Sequence, residues 1–185
     1  MEEFIDIVDE KDNVVGKEEK KIVERKALFH RAVFIFIFNS EGKLFVQKRS
    51  KHKFLAPGLY GIGAGGSVRA GESYDEAAAR ELAEELGIKN IKLDFMFNFT
   101  YRAENDNYNS KVYKGIYDGE IKIQEDEIEH GEFKTIDEIR QMSEEGKLCP
   151  DTALFFEKYL ELEKWNKPNF QESMKWGKEK TEEYF

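Results

Sequence analysis

The chain's longest uninterrupted apolar run is residues 32–38, Ala-Val-Phe-Ile-Phe-Ile-Phe. Aromatic and β-branched side chains without a 3.6-residue rhythm predict a strand buried on both faces. Residues 43–49 form a second strand-like run, and Glu41-Gly42 between them is a turn signal, so residues 32–39 and 43–49 are predicted to pair as a hairpin. A smaller hairpin is predicted at residues 4–9 and 14–16, turning at Asp12-Asn13, with a charged helical stretch over 17–26. Residues 50–60 read as a basic loop containing a Pro57-Gly58 turn. Further strands are predicted near 91–102, 111–117 and 130–134, and two helices near 136–145 and 151–164. There is no Pro/Ser-rich linker and no internal repeat. The order suggests an α/β fold with a mixed β-sheet sandwiched between α-helices. Residues 1–165 are expected to form one domain: hairpin and helix 1–28, core 29–135, C-terminal helices 136–165. A polar tail carrying aromatics follows at 166–185.

Residues 66–88, GSVRAGESYDEAAARELAEELGI, show a helical rhythm after a glycine-rich start. Ser73 is a predicted N-cap with Glu76 as its capping-box partner, and Gly87 sits where a helix ends in a left-handed residue. Ala77, Ala78 and Ala79 favour helix and close packing on a sheet. Leu82 and Leu86 make an apolar stripe. Glu81, Glu84 and Glu85 share another face at i, i+3 and i+4, where like charges cost about 0.2–0.5 kcal/mol per pair. A purely solvated helix would do better with a lysine there. A hard divalent cation reverses the balance, since Mg²⁺ is held by carboxylates, waters and substrate phosphates. Arg80 could fold back onto Glu72 as a planar bidentate donor. The plainer alternative is an amphipathic helix whose acidic face meets solvent.

Composition narrows the classes. Of 185 residues, 40% are hydrophobic and 36% charged, which describes a globular chain with a sizeable core. No apolar run approaches the ~20 residues that span a bilayer. The acidic start, Met1-Glu2-Glu3-Phe4, lacks signal-peptide features, and a cytoplasmic location is expected. A single cysteine, Cys149, excludes an internal disulfide and a cysteine-based zinc site. The net charge of −9 argues against duplex nucleic acid as a partner. It still suits a small phosphorylated substrate if a bound cation supplies positive charge.

Gly66, five residues, Glu72, seven residues, then Arg80-Glu81-Leu82-Ala83-Glu84-Glu85-Leu86-Gly87-Ile88 resembles the Nudix box at every defined position. That resemblance implies the mixed α/β/α Nudix fold. The flanks, residues 4–135, resemble the isopentenyl-diphosphate isomerase branch and its hydrolase-like relatives. They do so through Leu28-Phe29-His30-Arg31-Ala32, Glu41-Gly42-Lys43-Leu44, Gln47-Lys48-Arg49-Ser50 and Pro57-Gly58. Isomerases of that branch use a cysteine acid and a metal held by histidines and glutamates. Gly65 stands at the position of that cysteine here, and Ser67 and Val23 at two of the histidines. Only His30 survives, and Asn109 and Lys111 fall near the two glutamates.

The resemblance therefore implies phosphoanhydride hydrolysis, with Mg²⁺ (Mn²⁺ as a substitute) held by Glu81, Glu84, Glu85 and the Gly66 carbonyl. Glu72 would bind through water or orient the loop, with Arg80 fixing it. Glu84 is the first candidate for the general base and Glu127 the candidate from a later loop. Arg49 could clamp a phosphate, with Lys48, Lys51 and Lys53 nearby, and Tyr60 could stack on a base or pack in the core. A ligand sensor without catalysis is the third reading. Trp165, Phe170, Trp176, Tyr184 and Phe185 could dock on the domain or on a second copy in a homodimer.

Overall fold

The computed structural model describes residues 2–166. Two compact units divide after Cys149. The first opens with β1 (Phe4–Val8) and β2 (Val14–Glu19), an antiparallel pair, followed by α1 (Lys20–Lys26). The predicted helix was to start at residue 17. Lys17, Glu18 and Glu19 instead extend β2, because each finds a partner in Asp6, Ile5 and Phe4.

A seven-stranded mixed sheet follows. Its members are β3 (His30–Phe38), β4 (Leu44–Arg49), β5 (Tyr60–Ile62), β6 (Ala64–Ser67), β7 (Asp94–Arg102), β8 (Asn107–Ile116) and β9 (Ile128–Lys134). The order is β5-β4-β3-β8-β7, with β6 also on β3 and β9 also on β4. β3 and β8 run parallel, from His30↔Tyr108 to Phe38↔Ile116, and all the other pairings are antiparallel.

The expected β3–β4 hairpin is only partly formed. Its turn is present, with Gly42 at φ 76°, but the two strands are in register only at Phe38↔Leu44. Beyond that point residues 60–67, expected as loop and glycine-rich segment, are strand and come between them. β5 pairs with β4 (Val46↔Ile62) and β6 with β3 (Ile35↔Ala64). The switch occurs at Gly63, whose φ is +67° and whose N–H donates to the Phe45 carbonyl at 2.8 Å. A Cβ at Gly63 would lie 1.7 Å from the Ile35 oxygen, so only glycine lets the chain cross here.

Helix α2 (Tyr74–Leu86) has the predicted capping box at Ser73 and Glu76, and Gly87 ends it at φ 68°. Ala77, Ala78, Leu82 and Leu86 pack over Val33, Ile35 and Ile37 of β3, with Phe45, Ala64, Val68, Ile88, Tyr113 and Ile128 completing the cluster. Each large side chain fully buried here is worth about 1.5–3 kcal/mol. Ala79, expected against the sheet, faces out. β7 starts later than predicted because Ile91 and Leu93 pack onto the core from the preceding loop. β8 starts earlier, because Asn107 already pairs with Arg102 and Tyr108 with both His30 and Tyr101. Helix α3 (Ile136–Glu144) has its own capping box at Thr135 and Glu138 and buries Ile139 and Met142.

The second unit begins with α4 (Pro150–Asn166), whose first residue suits a helix start. Phe155, Phe156 and Tyr159 are its buried aromatics. Among the described residues no helix is long and apolar enough to cross a membrane. The Trp165 side chain, Phe170, Trp176, Tyr184 and Phe185 lie outside the described residues.

Candidate active site

Arg80 organises the acidic end of α2. Its Nε and Nη2 donate to the two oxygens of Glu72 at 2.8 and 2.7 Å, the bidentate pair expected from the spacing. Nη2 also reaches the Ser67 carbonyl at 3.1 Å, and Nη1 donates to Glu81 at 2.7 Å and Glu84 at 3.2 Å. One guanidinium thus ties the loop, strand β6 and the helix together. Against the burial that would raise it, Arg80's hydrogen bonds hold the Glu72 carboxyl below its ordinary range.

The three helix glutamates differ in environment. Glu81 and Glu85 are 7% and 4% exposed, so the alternative of an acidic face in solvent does not hold for them. Glu84 is half-exposed, and its oxygens lie 3.3 and 3.4 Å from Arg69 Nη2. Burial pushes the Glu85 carboxyl up to about 7, and the neighbouring Glu81 charge adds to this while a hydrogen bond from Gln47 opposes it. Burial also raises Glu81, against the attraction of Arg80. Glu85 accepts from Gln47 Nε2 at 3.1 Å and from the Gly65 N–H at 3.2 Å. Gly66 is required for the approach of Glu81 to β6: a Cβ there would sit 2.4 Å from Glu81 Oε1. With Arg80 and Arg69 among the carboxylates, no group of three or more His, Cys, Asp or Glu side chains is drawn into a metal-ligating cluster among the described residues.

The other expected residues fall into two groups. Glu127 is bonded to Lys53 at 2.6 Å, and both of their charges are felt at Glu85, which brings that loop to the site. Arg49 Nε donates to the Leu55 carbonyl at 3.2 Å, fixing the guanidinium at the head of the 50–60 loop. Lys48 pairs with Glu129 at 3.1 Å. Tyr60 is half-buried, edge-on to His130 with ring centroids 6.0 Å apart, so it packs in this structure. Gln47, Arg69, Glu3 and Lys20 were not singled out from the sequence. Gln47 sits in a strand that the sequence predicted, but its partner Glu85 lies 38 residues on. Arg69 and Glu3 meet only through folding, 66 residues apart.

A NUDIX-domain family model matches residues 28–158. The chain belongs to the Nudix family. Among curated relatives, the Nudix hydrolase PA4841 of Pseudomonas aeruginosa is 33% identical over 159 residues, covering 86% of this chain and 94% of that one. An isopentenyl-diphosphate Δ-isomerase of Pectobacterium atrosepticum is 36% identical over 140 residues, covering 73% and 78%. The crystal structure of DR0079 from Deinococcus radiodurans superposes with a TM-score of 0.74 at 27% identity, covering 84% of this chain and 98% of that one.

Within this Nudix chain, His30 is 6% exposed, its Nδ1 lies 2.9 Å from the Leu28 carbonyl, and burial holds its pKa down, as befits a structural histidine. Arg80→Lys is expected to destabilise the fold by about 1–3 kcal/mol, since an ammonium cannot hold Glu72 bidentately while reaching Glu81 and the Ser67 carbonyl. Thermal melting at pH 7 checks it; an unchanged melting temperature would show that the Arg80 fork contributes no net stability.

Proposed function

We propose that this Nudix hydrolase is a Mg²⁺-dependent pyrophosphohydrolase that cleaves a phosphoanhydride bond in a nucleoside diphosphate linked to a further moiety. The observation that carries the reading is the buried pair Glu81 and Glu85, two carboxyl groups kept off water with raised affinity for protons. A site built this way is poorly suited to a static helix and well suited to a hard cation. The buried Gln47 Oε1, which has no hydrogen-bond partner among the described residues, is a further oxygen beside them. The donors are all oxygens, which fits Mg²⁺ or Mn²⁺. Glu81, Glu84, Glu85 and the Gly66 carbonyl would hold the ion, with Glu72 supporting the loop. When bound, such an ion polarises phosphoryl oxygens and lowers the pKa of a bound water.

The side chains supply the remaining parts. Glu84, half-exposed beside Arg69 and Arg80, takes the proton of the attacking water. Glu127 is the second candidate for that proton, because its loop reaches the field of Glu85. Arg80 keeps Glu72 and Glu81 in place, and Arg49, at the end of β4, meets a substrate phosphate, while Tyr60 stays packed against His130.

An isomerase reading is favoured by the Pectobacterium relative and opposed by Gly65. The resemblance puts the proton-transferring cysteine at that position. A Cβ there would lie 2.6 Å from the Val33 oxygen and 2.7 Å from Phe34 Cδ1, so β6 and Phe34 would have to move to admit one. The deciding experiment incubates the protein with nucleoside di- and triphosphates, ADP-ribose, NADH, nucleotide sugars, dinucleoside polyphosphates and isopentenyl diphosphate. Each is run with Mg²⁺ and with EDTA. Cleavage of one nucleotide class, lost in EDTA and restored by Mg²⁺ or Mn²⁺, is the expected result. Allylic isomerisation, or tight binding without cleavage of any member, would replace the proposal by the isomerase or the sensor.

A further inference from the structure

The β1–β2 pair lies outside the residues that match the family model, yet the first half of β1 is bonded to the loop that leads into α2. Ile5 bridges Arg69 and is fully buried, which anchors the strand. On either side of that bridge, the Ala70 N–H donates to the Phe4 carbonyl at 2.8 Å and the Gly71 N–H to Asp6 Oδ2 at 2.9 Å. Glu3 accepts from Arg69 Nε at 2.9 Å and is braced by Lys20 Nζ at 3.3 Å. The hairpin tip adds a second fastening. Asp12 accepts from Tyr74 OH at 3.1 Å, in the first turn of α2, and from Arg31 Nε at 2.9 Å on β3.

We infer that Glu3 and Asp6 are positioning residues for hydrolysis, holding the Arg69–Gly71 segment and, through Arg69, the carboxylate of Glu84. This rests on the hydrolase reading of Glu84. The physical argument is one of orientation. Arg69 has its Nε on Glu3 and its Nη2 facing Glu84, so its guanidinium has one orientation in which both pairs form. Glu84, half-exposed, is otherwise held by Arg80 Nη1 at 3.2 Å on one oxygen, so Arg69 is what fixes the rotation of its carboxylate. Without Glu3 the arginine is released to solvent or to other acids, and Glu84 samples more positions. A displacement of about 1 Å at a reacting group can cost on the order of 10²-fold. Asp6 acts one step further back, by closing the Gly71 amide against β1.

The test compares the full-length wild type with Glu3→Ala, Glu3→Asp, Asp6→Ala, Arg69→Ala and the double variant Glu3→Ala/Arg69→Ala. Steady-state kinetics use whichever panel member the wild type cleaves. Amide hydrogen exchange is followed at Ala70 and Gly71, and Mn²⁺ alone is titrated calorimetrically. The expected result is a drop in kcat of about tenfold for Glu3→Ala with KM nearly unchanged, as for loss of orientation rather than of binding. Glu3→Asp recovers part of the loss, and Glu3→Ala adds nothing further once Arg69 is alanine. Asp6→Ala lowers kcat and speeds exchange at Gly71. If the Glu3 and Arg69 effects multiply in the double variant, or if kcat stays unchanged in both Glu3→Ala and Asp6→Ala, the inference is wrong. If the wild type cleaves nothing, the hydrolase reading fails separately. The hairpin's role is then judged by Mn²⁺ and exchange: weaker Mn²⁺ binding with faster exchange at Ala70 and Gly71 upholds it, and an unchanged Mn²⁺ affinity overturns it.

Discussion

Glu84→Gln is expected to lower kcat by about 10²–10⁴-fold, the usual contribution of a positioned general base. The substitution keeps the shape of the side chain and removes only its charge and proton affinity. Stability should hardly move, because Glu84 and Arg69 are half in solvent and Arg80 keeps its pairs with Glu72 and Glu81. Such pairs are worth roughly 0–1 kcal/mol. Single-turnover rates at saturating Mg²⁺, beside melting curves, separate chemistry from folding. If Glu84→Gln loses less than about tenfold while Glu127→Gln loses the larger factor, the base is Glu127 and the helix glutamate only helps hold the cation.

The second large effect is a gain in one property and a loss in another at the same residue. Glu85→Gln should abolish Mg²⁺-dependent turnover and at the same time stabilise the metal-free protein at alkaline pH. Burial, then the adjacent Glu81 charge, push the Glu85 carboxyl up to about 7, against 4.5 for the ordinary group. A raised carboxyl contributes its full stability below the unfolded value and loses it as pH rises through the folded one. In EDTA the wild type should therefore lose stability between about pH 4.5 and pH 7, up to about 3 kcal/mol from this group. Glutamine keeps an acceptor for Gln47 Nε2 and the Gly65 N–H without the charge, so the variant should melt higher at pH 8 and nearly level with wild type at pH 5. Saturating Mg²⁺ should reverse the order at pH 8 by stabilising only the wild type. Calorimetry at the two pH values, with EDTA and with Mg²⁺, checks this. Equal differences at pH 5 and pH 8 would mean that the buried carboxyl does not set the pH dependence.

The parts of this site that were legible in the sequence are those fixed by local spacing. Ser73 and Glu76, Gly87, and the reach from Arg80 to Glu72 each depend on positions within a few residues of one another, and the structure has all of them. What the sequence did not show depends on which segments meet. Residues 60–67 have too many glycines for strand propensity, and they become strands because β3 and β4 each offer an open edge. The apolar run in β3 correctly indicated burial and its turn into β4, but not how short that hairpin is, since β6 and β8 are the main partners of β3. The exposure of the glutamates was equally hidden. Helical spacing puts Glu81, Glu84 and Glu85 on one side, but β6 and Gln47 cover Glu81 and Glu85 and leave Glu84 open. Glu3 and Arg69 are unremarkable charges until the hairpin lies on the loop.

The parallel pairing of β3 with β8 also bears on when the core behind the site is complete. His30 is bonded in register to Tyr108, and the whole of α2 lies within the stretch of chain between them. As the chain leaves the ribosome, the helix and its caps are available early, while Tyr113 and Ile128 of its core are still unsynthesised. Closing so long a loop against a parallel partner is entropically slow compared with forming a local turn. The acidic helix must therefore wait for residues beyond 107 before Tyr113 can join its core. A nascent chain carries the full signature motif, and the Gln47 and β6 groups that cover Glu85 and Glu81, well before Tyr113 and Ile128 complete the core behind the helix.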